Sequence, residues 1–131
     1  MARILIIDDD DHVRLSLKLA LEDEDHDVAE AADGEEGMRR LRERPAHLVI
    51  TDIFMPEKEG LETIDAIRRD YPDTRIIAIS GGGRMDPREY LEIACRVGAD
   101  RSLMKPFDLR QLVALVDELL DDELLDGGEG G

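Results

Sequence analysis

The feature that most constrains this chain is an alternation that begins almost at its first residue. Short apolar runs that end in polar residues are each followed by a stretch with helical spacing. Arg3-Ile4-Leu5-Ile6-Ile7 is a continuous apolar run closed by four aspartates, Asp8 to Asp11. A strand buried on both faces reads this way. From Val13 the period changes, with Val13, Leu17, Ala20 and Leu21 on one helical face. His26 to Glu30 predicts a second strand, and Asp33-Gly34 a turn into a helix through Met38 and Leu41 that Pro45 ends. His47 to Thr51 predicts the third strand, followed by a helix carrying Ile64, Ile67 and Tyr71 on one face. Ile76 to Ser80 is the fourth strand. Pro87 suits the first position of the next helix, with Gly98 at its C-terminal cap. Asp100 to Met104 is the fifth strand, and a last helix from Leu109 to Leu120 has Asp108 as its N-cap. Five β-then-α units in series predict an α/β fold: a parallel sheet with helices on both faces, because right-handed crossovers place them there.

Hydrophobic residues make up 42 % of the chain and aromatic ones 3 %, so the core is expected to be aliphatic. With 33 acidic and 17 basic residues, the formal net charge is −16. Such a surface repels phosphate backbones and anionic lipid, which argues against nucleic-acid or membrane-surface partners. The lone Cys95 excludes an internal disulfide and a cysteine-built zinc site, and reads as a small apolar helix residue. His12, His26 and His47 have no ligand spacing and read as surface or structural groups. No apolar run approaches the ~18 residues of a membrane span, and no secretory leader precedes the first strand, so a cytoplasmic location is expected. The expected division is one domain over residues 1–122 and an acidic, glycine-rich, disordered tail over 123–131, since little after Leu125 can be buried.

In an open parallel sheet, ligands bind beyond the C-terminal ends of the strands. The first strand ends in Asp8 and Asp9, the third in Thr51-Asp52, the fourth in Ser80 and the fifth in Lys105-Pro106. Lys105 is one of only three lysines in the chain. Converging carboxylates are hard oxygen ligands suited to a divalent ion such as Mg²⁺. With that ion, one carboxylate can act as a nucleophile toward phosphorus. An ammonium and a hydroxyl are suited to the remaining phosphoryl oxygens.

Four motifs, Ile4 to Asp10, Asp52-Ile53-Phe54-Met55-Pro56 with Gly60, Ile79-Ser80-Gly81, and Lys105-Pro106-Phe107, occur in that order. Through them the chain resembles the response-regulator receiver domain of two-component signalling, from about Ala2 to Leu120. The resemblance implies a flavodoxin-like, doubly wound, five-stranded parallel sheet of order 2-1-3-4-5. It implies a stand-alone receiver whose Asp52 takes a phosphoryl group from the phosphohistidine of a sensor histidine kinase or histidine phosphotransfer protein. Asp9 would bind Mg²⁺ (or Mn²⁺) directly and Asp8 largely through water. The backbone carbonyl of Phe54 and the carboxylate of Asp52 would complete the protein's ligands. Ser80 would be the switch hydroxyl, Lys105 the phosphate-contacting lysine, and the Lys105–Pro106 peptide cis. Such a domain is not an enzyme in the usual sense; it promotes only its own phosphorylation and dephosphorylation. It signals to a downstream protein not named by the sequence, or relays the phosphoryl group.

Two departures from the family stand out. Ser102 replaces an aromatic usually found three residues before the lysine. The interval from Ser80 to Lys105 is also longer than usual, and the excess coincides with Gly81-Gly82-Gly83-Arg84. Two other function classes meet objections in the sequence. A metal-dependent phosphohydrolase with an aspartyl nucleophile wants a second acid two residues after Asp52, where Phe54 stands. A phosphorylation-independent interaction module would have no use for acids placed so closely.

Overall fold

The apolar runs form the strands of a parallel sheet in the computed structural model, which describes residues 2–53, 60–80 and 87–130. In chain order the elements are β1 (Arg3–Ile7), α1 (Asp11–Asp23), β2 (Asp27–Ala31), α2 (Gly34–Glu43), β3 (Leu48–Asp52), α3 (Gly60–Asp70), β4 (Arg75–Ser80), α4 (Pro87–Val97), β5 (Arg101–Met104) and α5 (Leu109–Gly130). The strand order is β2-β1-β3-β4-β5, with each neighbouring pair parallel, the doubly wound arrangement expected from the sequence.

Alternate strand residues go to opposite layers, as the pleat requires. Ile4, Ile6, Ile50 and Ile77 pack with Leu17 of α1 and Leu112 and Val116 of α5. Leu5, Ile7, Val49 and Ala78 pack on the other side with Leu41 of α2, Ile64 of α3 and Ala94 of α4. The central strands are therefore apolar on both faces along their middle residues, while the edge strand β2 is largely half-exposed. Helix starts follow their caps. The Asp10 carboxylate accepts from the His12 and Val13 amides to open α1. At α2 the Asp33 carboxylate accepts from Glu36 N (2.8 Å) while Glu36 Oε1 accepts from Ala32 N (2.7 Å), a close variant of the capping box.

Two strands begin one residue later than the sequence suggests, and the reason is shared. His26 Nδ1 accepts from Ala2 N at 3.2 Å and His47 Nδ1 accepts from Arg3 N at 3.0 Å. Both histidines secure the entry to β1, so the strands they precede run over Asp27–Ala31 and Leu48–Asp52. Asp100 likewise drops out of β5 because its carboxylate accepts from Arg68 and from Ile76 N. Cys95, read as an apolar helix residue, is exposed on α4. The backbone of α5 continues to Gly130, past the expected domain end at residue 122. Glu123-Leu124-Leu125 are good helix formers and allow the hydrogen-bond ladder to propagate. Among the described residues, no helix is long and apolar enough to cross a membrane.

Candidate functional site

The polar residues singled out in the sequence share one edge of the sheet. Asp8 directly follows β1, Asp52 and Ser80 end β3 and β4, and Lys105 directly follows β5. Strand order reverses between β1 and β3, and Asp8 and Asp52 flank that crevice, where open α/β sheets bind ligands. Gly60 lets the start of α3 close over this edge. A Cβ there would stand 2.2 Å from Ile53 Cα and 2.5 Å from Asp52 O, a separation that no other residue can accommodate without moving the backbone.

Asp8 and Ser80 are fully buried, Asp52 is nearly so, and Asp9 is exposed. Lys105 Nζ lies 3.1 Å from Asp8 Oδ2 and 3.1 Å from Asp52 Oδ2, bridging the two carboxylates. The Lys105–Pro106 peptide is cis. Burial is the main influence on Asp8 and raises its pKa, against the opposing pull of the Asp10 amide and Lys105. For Lys105, burial acts downward, but the Asp52 and Asp8 carboxylates outweigh it and the ammonium is held upward. Asp10 is held low by the Val13 and His12 amides that it caps, which marks it as a helix cap and not a member of the cluster.

Ligand oxygens of Asp8, Asp9 and Asp52 all lie within 4.8 Å of one another. At that separation two carboxylates repel by on the order of 3 kcal/mol in a medium of effective dielectric about 20. The one ammonium of Lys105 compensates only part of three negative charges. A hard divalent cation fits this donor set in both charge and ligand type. The Ser80 Oγ is buried without a hydrogen-bond partner among the described residues. A buried hydroxyl left so forfeits about 1–3 kcal/mol, which an incoming oxyanion can restore. Carboxylates, an ammonium and a buried hydroxyl thus meet at one sheet edge, a set of groups suited to phosphoryl transfer.

The Phe54 carbonyl, the Met55-Pro56 motif and the Gly81–Arg84 loop lie outside the described residues. Ser102, the departure on β5, is half-buried. It lines a groove of about 650 Å³ with Arg88, Glu92 and Cys95 of α4 and Met104 of β5. One site residue was missed in the sequence. Arg14 Nη1 donates to the backbone oxygen of Asp8 at 2.7 Å. Its signal was legible in principle: a cation near the start of a helix opposes the helix dipole and needs acceptors close by.

A family model described as the response regulator receiver domain matches residues 4–117. The transcriptional regulatory protein PrrA of Mycobacterium tuberculosis is 36 % identical over 118 residues, which are 90 % of this chain and 49 % of that protein. The transcriptional regulatory protein CpxR of Escherichia coli is 36 % identical over 120 residues, 92 % of this chain and 50 % of that protein. The chain therefore spans about half the length of these curated relatives. Among solved structures, a CheY-like receiver domain protein from Methanospirillum hungatei superposes with a TM-score of 0.88 at 31 % identity, covering 96 % of this chain and 98 % of that one.

Proposed function

The chain belongs to the response-regulator receiver-domain family, and on that premise we propose that it accepts a phosphoryl group on Asp52. Phosphorylation-based signalling is the business of the family, and the site residues take individual roles in it. The observation that carries them is Lys105 Nζ held 3.1 Å from both Asp8 Oδ2 and Asp52 Oδ2, beside the exposed Asp9.

In this reading the donor is the phosphohistidine of a sensor kinase or phosphotransfer protein. A carboxylate oxygen of Asp52 attacks phosphorus; the new O–P bond forms as the N–P bond breaks, and the electron pair stays on the departing imidazole nitrogen. Lys105 has protons to share with a phosphoryl oxygen, and the orphaned Ser80 hydroxyl can donate to another. Asp8, Asp9, Asp52 and the Phe54 carbonyl would hold a Mg²⁺ ion, which when bound neutralises charge on the transferring oxygens. In this reading the site promotes no reaction beyond loading and unloading Asp52. Output is by partner binding or onward relay, with the acidic surface making DNA an unsuitable partner.

Intact mass after exposure to a small phosphodonor with Mg²⁺ tests the assignment. The native chain gains one phosphoryl group, and Asp52→Asn or chelation of the cation abolishes the gain. Persistence of the adduct in Asp52→Asn would overturn it.

A further inference from the structure

We propose that Arg14 is a positioning residue for the divalent-cation site, fixing the peptide between Asp8 and Asp9 and so the direction in which these acids present their oxygens. The inference rests on reading the Asp8, Asp9 and Asp52 cluster as a cation site. Three acceptor oxygens of Asp8 are each held by a different group. Asp10 N donates to Oδ1 at 2.9 Å, Lys105 Nζ to Oδ2 at 3.1 Å, and Arg14 Nη1 to the backbone O at 2.7 Å. That last oxygen belongs to the planar peptide whose other end carries the Asp9 Cα, so fixing it orients Asp9 as well. Asp9 is exposed and, among the described residues, no side-chain hydrogen bond holds it. Its direction therefore depends on its backbone.

The guanidinium is itself well anchored. Its side chain is only 16 % exposed; Nη2 bonds Asp11 Oδ1, and Nε lies 3.6 Å from Glu30 Oε1. Glu30 sits on β2 opposite Ile6 of β1 and also pairs with Lys18 at 3.5 Å. One planar fork thus ties the end of β1, the start of α1 and β2, a geometry that lysine cannot reproduce.

Electrostatics and positioning predict opposite signs here. Arg14 is a cation close to a site for a cation, so removing its charge should tighten divalent binding if charge were its only influence. If it orients ligands, removing it should weaken binding, by about tenfold on the scale of other residues that support metal ligands. The test is calorimetric titration of the whole chain with Mg²⁺ and with Mn²⁺, comparing native protein, Arg14→Ala, Arg14→Lys, Arg14→Gln and Lys18→Ala. Expected are a Kd raised about tenfold in Arg14→Ala, partial recovery in Arg14→Lys, and no weakening in Lys18→Ala. Binding in Arg14→Ala as tight as in the native chain, or tighter, overturns the proposal. Should Arg14→Ala fail to fold, Arg14→Gln and Arg14→Lys carry the same comparison, and native-like Kd in both overturns it. Absence of binding in the native chain would instead refute the cation site itself.

Discussion

Arg68 gives the sharpest stability prediction, because it joins three parts of the fold far from the phosphoacceptor. It lies in the last turn of α3 and makes five hydrogen bonds. Nε and Nη2 donate to Gly98 O at 3.1 and 2.8 Å, and Nη1 to Pro72 O and Thr74 O at 2.8 and 2.9 Å; Nη2 also donates to Asp100 Oδ2 at 2.9 Å. Asp100 Oδ2 in turn accepts from Ile76 N at 2.8 Å. The guanidinium therefore fastens the ends of α3 and α4 to the starts of β4 and β5. Side-chain exposures of 28 % for Arg68 and 23 % for Asp100 leave the acceptors only partly able to find water. Hydrogen bonds to charged groups contribute about 1.5–3 kcal/mol each when buried. The rim position and partial rehydration reduce the sum, and Arg68→Ala should destabilise by about 2–4 kcal/mol, in the range for breaking partly buried ion pairs. With a urea m-value of about 1–3 kcal/mol per molar, the midpoint should fall by roughly 1–2 M. Arg68→Lys should fall in between, because it keeps the charge and loses the fork. Equilibrium unfolding in urea followed by far-ultraviolet circular dichroism reads the midpoint. A shift below about 0.3 M in Arg68→Ala would mean that water replaces the clasp without loss, and the reasoning would fail.

Further outcomes follow from other places in the fold. Gly60→Ala should destabilise by about 1–3 kcal/mol and slow phosphorylation, since the added Cβ meets the Ile53 and Asp52 backbone; an unchanged unfolding midpoint contradicts this. Deleting Asp126 to Gly131 should leave phosphorylation by a small donor unchanged, and its loss would show that the tail contributes to the site. A stable phosphoryl mimic bound with Mg²⁺ should alter amide exchange across residues 81–90, because Ser102 has no ring to move and the adjoining glycines tolerate many backbone states. Change confined to the neighbourhood of Ser102 would defeat that loop-switch reading.

The strands and the residues at their ends were legible because both signals are local. Apolar runs such as Ile4 to Ile7 and Ile76 to Ile79 report burial on two faces, and the polar residue that ends each run marks the sheet edge. Topology then brings Asp8, Asp52, Ser80 and Lys105 to that edge without further information. The partners of long side chains were not legible. Arg14 reaches Asp8 O across 6 residues, and Arg68 reaches Gly98 across 30. Such distances exist only after the helices pack on the sheet. The one-residue shifts of β2 and β3 have the same origin, since nothing local tells that His26 and His47 accept from the amides of Ala2 and Arg3. In α5 the backbone follows the helix propensity of Glu123 to Leu125.

An acyl phosphate on Asp52 is defined by both its chemistry and its position. Borohydride reduces an aspartyl phosphate to homoserine, releasing phosphate and leaving free aspartates untouched, so peptide mass spectrometry can read the site. After treatment with a small phosphodonor and Mg²⁺, homoserine should replace aspartate at position 52 and at no other position, and should be absent when the cation is chelated. Homoserine at Asp8 or Asp9, or formed equally without cation, would contradict the account.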